Sequence, residues 1–171
     1  MRKKLSKFLK LSFKEKCATC ILFIVVLFCL FTCIKIRTIY IRGNSMHPTL
    51  ATGDICLLYR TQNPSRGDAV LIDFGKKNLV KRIIGMPGDY ITIYPTGIVI
   101  EDREGNEFLF DNQWSLINCM KRQKHAIFNV PENHYLVLGD NRDNSLDSRV
   151  FGTVPRERVI GVFFVRLWRT M

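Results

Sequence analysis

Val80-Lys81-Arg82-Ile83-Ile84-Gly85-Met86-Pro87-Gly88-Asp89 reads as a β-strand that runs into a tight turn. Val80, Ile83 and Ile84 are β-branched, and Met86-Pro87-Gly88-Asp89 supplies the Pro-Gly pair that ends a strand. Side chains alternate across a strand, so Lys81 and Arg82 point to opposite faces. Arg82 is then expected to stay solvated, while Lys81 sits among Leu79, Val80, Ile83 and Ile84. The same grammar extends in both directions. Short β-branched and aromatic runs fall at Ile55–Tyr59, Ala69–Phe74, Tyr90–Tyr94, Ile98–Glu101, Phe108–Phe110, Ile127–Val130, His134–Leu138 and Val159–Trp168. Asn63-Pro64-Ser65-Arg66-Gly67-Asp68 and Glu104-Gly105-Asn106 separate some of them as turns. Residues 35–171 are therefore expected to form one mainly β domain, an antiparallel twisted sheet or barrel. Val159–Trp168 is too short to span a membrane and reads as a buried terminal strand. Asn112–Lys124 reads equally well as a helix or an irregular loop.

The N-terminal part differs in kind. Residues 17–34 form an 18-residue run without a charge, long enough to span a hydrocarbon core as a helix. No small-x-small cleavage site follows it, and bulky Phe31 makes Leu30-Phe31-Thr32-Cys33 a poor lipoprotein signal. An uncleaved transmembrane anchor is expected at 17–34, behind a basic cytoplasmic segment at 1–16. The formal charge is +11, and residues 1–16 hold seven Lys/Arg against Glu15 alone. Such a segment beside an apolar span keeps the N-terminus cytoplasmic and sends the rest across. Leu5, Phe8, Leu9 and Phe13 among the lysines suit contact with anionic lipid. Because so much of the excess charge serves topology, no nucleic-acid partner is expected; no basic patch interleaved with aromatics follows the anchor.

Cys17, Cys20, Cys29 and Cys33 fall in or beside the apolar run, where cysteine acts as a small apolar residue. Cys56 and Cys119 alone lie beyond it. They either pair or both stay buried.

Two further segments carry chemistry. Ser45-Met46-His47-Pro48-Thr49-Leu50 offers a hydroxyl, and Gly139-Asp140-Asn141-Arg142-Asp143-Asn144-Ser145-Leu146-Asp147-Ser148-Arg149 is a long polar turn. A serine needs a base before it becomes a nucleophile. His47 is too close in sequence to fold back onto Ser45, His125 lies in a basic stretch, and His134 opens a strand. Neither a Gly-x-Ser-x-Gly elbow nor a Ser-x-x-Lys pair occurs. Lysine replaces histidine where burial makes it neutral near pH 7, and Lys81 fits. Taken alone, Lys81 would be an exposed strand lysine, Ser45 a turn residue, and Asp147 with Arg149 a surface ion pair.

In this order the three segments, with Gly53-Asp54 and Arg66-Gly67-Asp68, resemble the boxes of type I signal peptidases, membrane-anchored Ser/Lys endoproteases. The resemblance covers residues 17–168. It implies a Ser45 nucleophile and a Lys81 general base. Ser145 would hydrogen-bond and aim the lysine amine, Asp147 and Arg149 would brace the loop, and Asp140, Asn141 and Arg142 would fix the turn. Met46 belongs with these supporting residues. Extended substrates with small side chains one and three residues before the cut would pair along Ile41–Ser45 and Leu79–Lys81, against shallow pockets walled by Ile41, Leu50 and Val80. No metal or cofactor is implied. Partners would be exported preproteins and membrane lipid, with the enzyme a monomer on the outer side of a bacterial inner membrane. Many members of the family carry a serine where this chain has Gly43, which leaves the second oxyanion donor open. The interval of about 50 residues between the lysine and polar boxes marks a minimal version. A dedicated maturation peptidase of a conjugation or secretion system fits the same features, as does, from another class, an inactive anchored binding module.

Overall fold

The computed structural model describes residues 13–94, 97–111 and 126–169, without the side chains of Phe13, residues 30–33 and Asp111. It divides into two compact units, the first ending at Arg37 and the second beginning at Thr38.

The first unit is a helix, α1 (Phe13–Lys35), with Glu15 in its first turn and Lys35 in its last. Those charges complement the positive and negative ends of the helix dipole. Ile21, Leu22, Phe23, Ile24 and Phe28 are each more than 60% exposed. A helix apolar on every side has no face suited to water. Among the described residues no helix is long and apolar enough to cross a membrane. The run 17–34 lies within α1, and it includes the four side chains outside the described set.

Strands follow, the first straddling the boundary between the units and the rest in the second: β1 (Ile36–Tyr40), β2 (Ile55–Tyr59), β3 (Ala69–Asp73), β4 (Asn78–Gly85), β5 (Tyr90–Tyr94), β6 (Gly97–Glu101), β7 (Glu107–Asp111), β8 (Ala126–Asn129), β9 (His134–Leu138), β10 (Val154–Pro155) and β11 (Val159–Trp168). All nine strands expected from sequence are present, and β1 and β10 add to them. Asn112–Lys124 and Cys119 lie outside the described residues; Cys56 is buried with a free thiol.

Seven strands form one sheet in the order β1-β2-β11-β3-β4-β9-β10, and four form a second in the order β7-β6-β5-β8. Ile84 of β4, Leu136 and Leu138 of β9, and Ile91, Ile93, Ile98 and Ile100 of β5 and β6 make one buried cluster. Val70, Ile72, Ile83, Tyr135, Val137, Val154 and Val159 make a second. The turn after β4 closes as expected, with Gly88 at φ +89° and the Asp89 amide donating to the Met86 carbonyl at 3.1 Å. Asp89 also takes Arg66 through both carboxylate oxygens, at 2.7 and 3.1 Å.

The terminal strand departs from expectation. β11 is buried only in its first half, and Phe164, Leu167 and Trp168 are exposed. Register explains this. Val159–Val162 pair with β3, whereas Val162–Trp168 pair with β2, and the pairing with β3 ends at Val162.

Candidate active site

Ser45 sits in the turn between β1 and β2. Burial of three apolar side chains spaced along it fixes this turn: Ile41, Met46 and Leu50 join Cys56 in a small core cluster, with Ile39, Ala69, Val80 and Phe163 packed against it. The Leu50 amide donates to the Met46 carbonyl at 2.9 Å, and Arg166 of β11 donates to the Thr49 carbonyl at 2.7 Å. Ser45 is left half-buried between exposed Asn44 and buried Met46.

Lys81 lies on β4 opposite Val70 of β3 and is 2% exposed. On its other side β4 pairs with β9, with Arg82 opposite Leu138. Continuing this antiparallel register by one step sets Lys81 opposite Gly139. That glycine is where the nucleophile turn and the polar box meet. A Cβ on Gly139 would stand 2.5 Å from the Ser45 carbonyl oxygen and would overlap Ser145 Oγ. The absence of a side chain there lets the nucleophile turn, the lysine strand and the polar box come together.

Burial pushes the Lys81 ammonium down from 10.5 to about 8. Arg149 and Lys77 add to the fall, while the carboxylates of Asp147 and Asp140 oppose it. Among the described residues no carboxylate makes an ion pair with Lys81, which is why desolvation prevails.

The polar box is a scaffold in its own right. Asp147, fully buried, takes Arg149 through both carboxylate oxygens at 2.8 Å, accepts the Gly139 amide at 3.0 Å, and caps the short helix α2 (Ser148–Phe151). Burial alone would raise its carboxyl, but the Arg149 hydrogen bonds and charge, with the Gly139 amide and the Ser145 hydroxyl, hold it below the usual range. The Ser148 hydroxyl accepts the Val137 amide at 2.9 Å. Arg142 donates to the Gly139 carbonyl. Asn141 reaches the other way: its amide donates to the Ser45 carbonyl at 2.9 Å and its side chain to the Asn44 carbonyl at 3.1 Å.

Three expectations need correction. Arg82 is not a free solvated charge; it makes a two-point ion pair with Asp140, including an Nε contact at 2.7 Å, and donates to the Gly67 carbonyl. The pair joins β4 to the polar box, so the strand face opposite Lys81 is also part of the framework. Ser145 Oγ does not hydrogen-bond the lysine amine. It is buried and without a hydrogen-bond partner among the described residues, although it lies near enough to Asp147 to help lower that carboxyl. The third concerns exposure alone: Ile41 and Leu50 are almost wholly enclosed in the core, with Leu50 still facing a cavity beside Thr49 and Phe163, while Val80 is half-buried. The link from Asn141 to the nucleophile turn was missed, because nothing local to either segment specifies a partner so far away in sequence.

Histidine takes no part in this arrangement among the described residues. His47 is exposed, and His134 contacts the Glu132 carbonyl at the far end of β9 from Gly139. An antiparallel β scaffold that holds a serine turn against a polar box, with a buried lysine of lowered pKa on the adjoining strand, supplies the groups that a serine hydrolase working without histidine would need.

A family model described as signal peptidase, peptidase S26, matches residues 14–168. The chain is 36% identical over 141 residues to the probable signal peptidase I-2 of Synechocystis, covering 75% of this chain and 62% of that protein's length. It is 34% identical over 158 residues to signal peptidase I of Bacillus licheniformis, covering 84% and 85%. A crystal structure of a signal peptidase I from Enterococcus faecalis aligns with a TM-score of 0.46 at 27% identity, over 58% of this chain and 96% of that one. The chain belongs to the signal peptidase I family of serine endopeptidases, membrane-anchored enzymes that cleave signal peptides from exported preproteins.

Proposed function

We propose that Ser45 is the nucleophile and Lys81 the general base of this signal peptidase. The observations that support the proposal are the meeting of the Ser45 turn and Ser145 at Gly139, and, on the strand that pairs with β9 just before that glycine, a buried Lys81 with its pKa near 8. Neutral Lys81 takes the Ser45 Oγ proton as the hydroxyl attacks the scissile carbonyl, and the Ser45 amide donates to the oxyanion that forms. Lys81 then returns the proton to the leaving amine. The same lysine activates the water that hydrolyses the acyl-enzyme. The substrate lies extended along Ile41–Ser45 and Leu79–Lys81, with small residues one and three positions before the cut. The helix α1 supports anchoring to a bacterial plasma membrane, through the 18-residue uncharged run and the basic residues before it. This orientation places the β unit outside, where a precursor's own apolar segment delivers the cut site.

The test is cleavage of purified precursors by the detergent-solubilised full chain, with N-terminal sequencing of the products. Wild type releases mature chains cut after a small-x-small sequence. Ser45→Ala keeps the wild-type unfolding midpoint and loses cleavage. A Ser45→Ala enzyme that still cuts at the wild-type rate sinks the mechanism.

A further inference from the structure

We infer that Asn141 is a positioning residue that fixes the peptide unit whose N–H binds the oxyanion. The carbonyl of Asn44 and the amide of Ser45 belong to one planar peptide group. Asn141 Nδ2 donates to that carbonyl at 3.1 Å, and the Asn141 backbone amide donates to the next carbonyl, that of Ser45, at 2.9 Å. One residue thus holds both peptide planes that flank the nucleophile.

The acceptor is a carbonyl oxygen, so the Asn141 side chain must present its NH2 group. Asn141 also stands at the N-cap of the 3-10 turn Arg142–Asn144 and makes no side-chain capping bond there. An asparagine in that place ordinarily caps its own turn; this one is directed at the nucleophile segment instead. A hydrogen bond on the carbonyl side polarises the peptide and strengthens its N–H as a donor. It also stops the plane from rotating, and rotation would swing the Ser45 amide off the oxyanion position. With glycine at position 43, no side-chain hydroxyl is available there to share that load, so the orientation of a single backbone donor matters more.

The inference rests on Ser45 as nucleophile, and the experiment keeps the two apart. Asn141→Asp retains the shape and replaces the donor with an acceptor facing the Asn44 carbonyl; Asn141→Ala removes the donor without repulsion and carries the test if the aspartate variant does not fold. Precursor kinetics are measured on the full chain in detergent, along with inhibition by a peptide aldehyde, which mimics the tetrahedral state when it adds to the serine. Asn141→Asp should lose about a hundredfold in kcat and Asn141→Ala about tenfold, with KM within about twofold. Aldehyde affinity should fall in parallel with kcat, and the pH midpoint near 8 and the unfolding midpoint should stay in place. Unchanged kcat, or lost kcat with unchanged aldehyde affinity, overturns the inference. So does a loss that follows a lowered unfolding midpoint. Wild-type enzyme indifferent to the aldehyde, together with active Ser45→Ala, overturns the nucleophile reading and this one with it.

Discussion

In the proposed mechanism Lys81 can serve as a base because water is kept from it. Its pKa near 8 leaves about a tenth of the molecules with a neutral amine at pH 7. The cleavage rate should therefore climb about tenfold per pH unit through acid and neutral pH and level off above about 8. Lys81→Arg should be inactive at every pH up to 10, since a guanidinium keeps its proton throughout that range. An active arginine variant, or a flat profile between pH 6 and 8, contradicts the role. Ser145 sets a finer test. Its hydroxyl is buried beside Asp147 and helps hold that carboxyl low. Ser145→Ala should leave the unfolding midpoint level or slightly lowered. If the hydroxyl engages the amine once substrate is bound, the same variant loses about a hundredfold in rate. Unchanged turnover would make the hydroxyl a bystander.

At the scale of elements, two carboxylates tie strands to the polar box. Asp147 binds the end of β9 to α2, and Asp140 binds the box to β4 through Arg82. Burial would raise the Asp140 carboxyl, but hydrogen bonds from Arg82 and Thr49, with the charges of Arg82 and Arg142, bring it below the usual range. Both folded pKa values lie below the unfolded one. The stability they contribute is thus complete above the unfolded carboxyl range and is lost as pH falls through the folded values. Asp147→Asn leaves Arg149 with a weakened partner in a buried place and should cost about 3 kcal/mol, with activity falling as well. A variant as stable as wild type at pH 7 would show that the pair does not brace the site. Much of this level is legible in the sequence: β2, β5, β9 and β11 fall at the residues expected, because apolar runs bounded by turn residues declare themselves locally. β1 was hidden against the flank of the anchor, and Val154–Pro155 is too short to leave a pattern. The site residues could be read one segment at a time. What joins them could not, since Arg82 with Asp140 and Asn141 with Asn44 are partners only once β4 and β9 have paired.

On the scale of the whole molecule, the lysine works against the fold that holds it. Its folded pKa near 8 lies below the ordinary lysine value of 10.5, so the unfolded chain binds more protons between the two and stability rises with pH across that window. Below about pH 8 the full penalty applies, about 3 kcal/mol. Lys81→Met should therefore unfold at a higher temperature than wild type at pH 7, with the gap closing toward pH 10.5. Equal pH dependence of the two midpoints would mean the lysine is not buried in solution. The basic segment and apolar run make a separate prediction: in right-side-out vesicles, added protease should reach the β unit, and protection would reverse the orientation. The convergence on Gly139 has one more consequence, which concerns timing. Serine, lysine and polar box are brought together only by pairing β2, β11, β3, β4 and β9, and an extended chain has an ordinary lysine that is neutral in about one molecule in three thousand at pH 7. On the proposed mechanism and topology, a copy still threading across the membrane would be chemically silent and would become a protease only when its sheet closes. Latency of this kind needs no propeptide and no inhibitor.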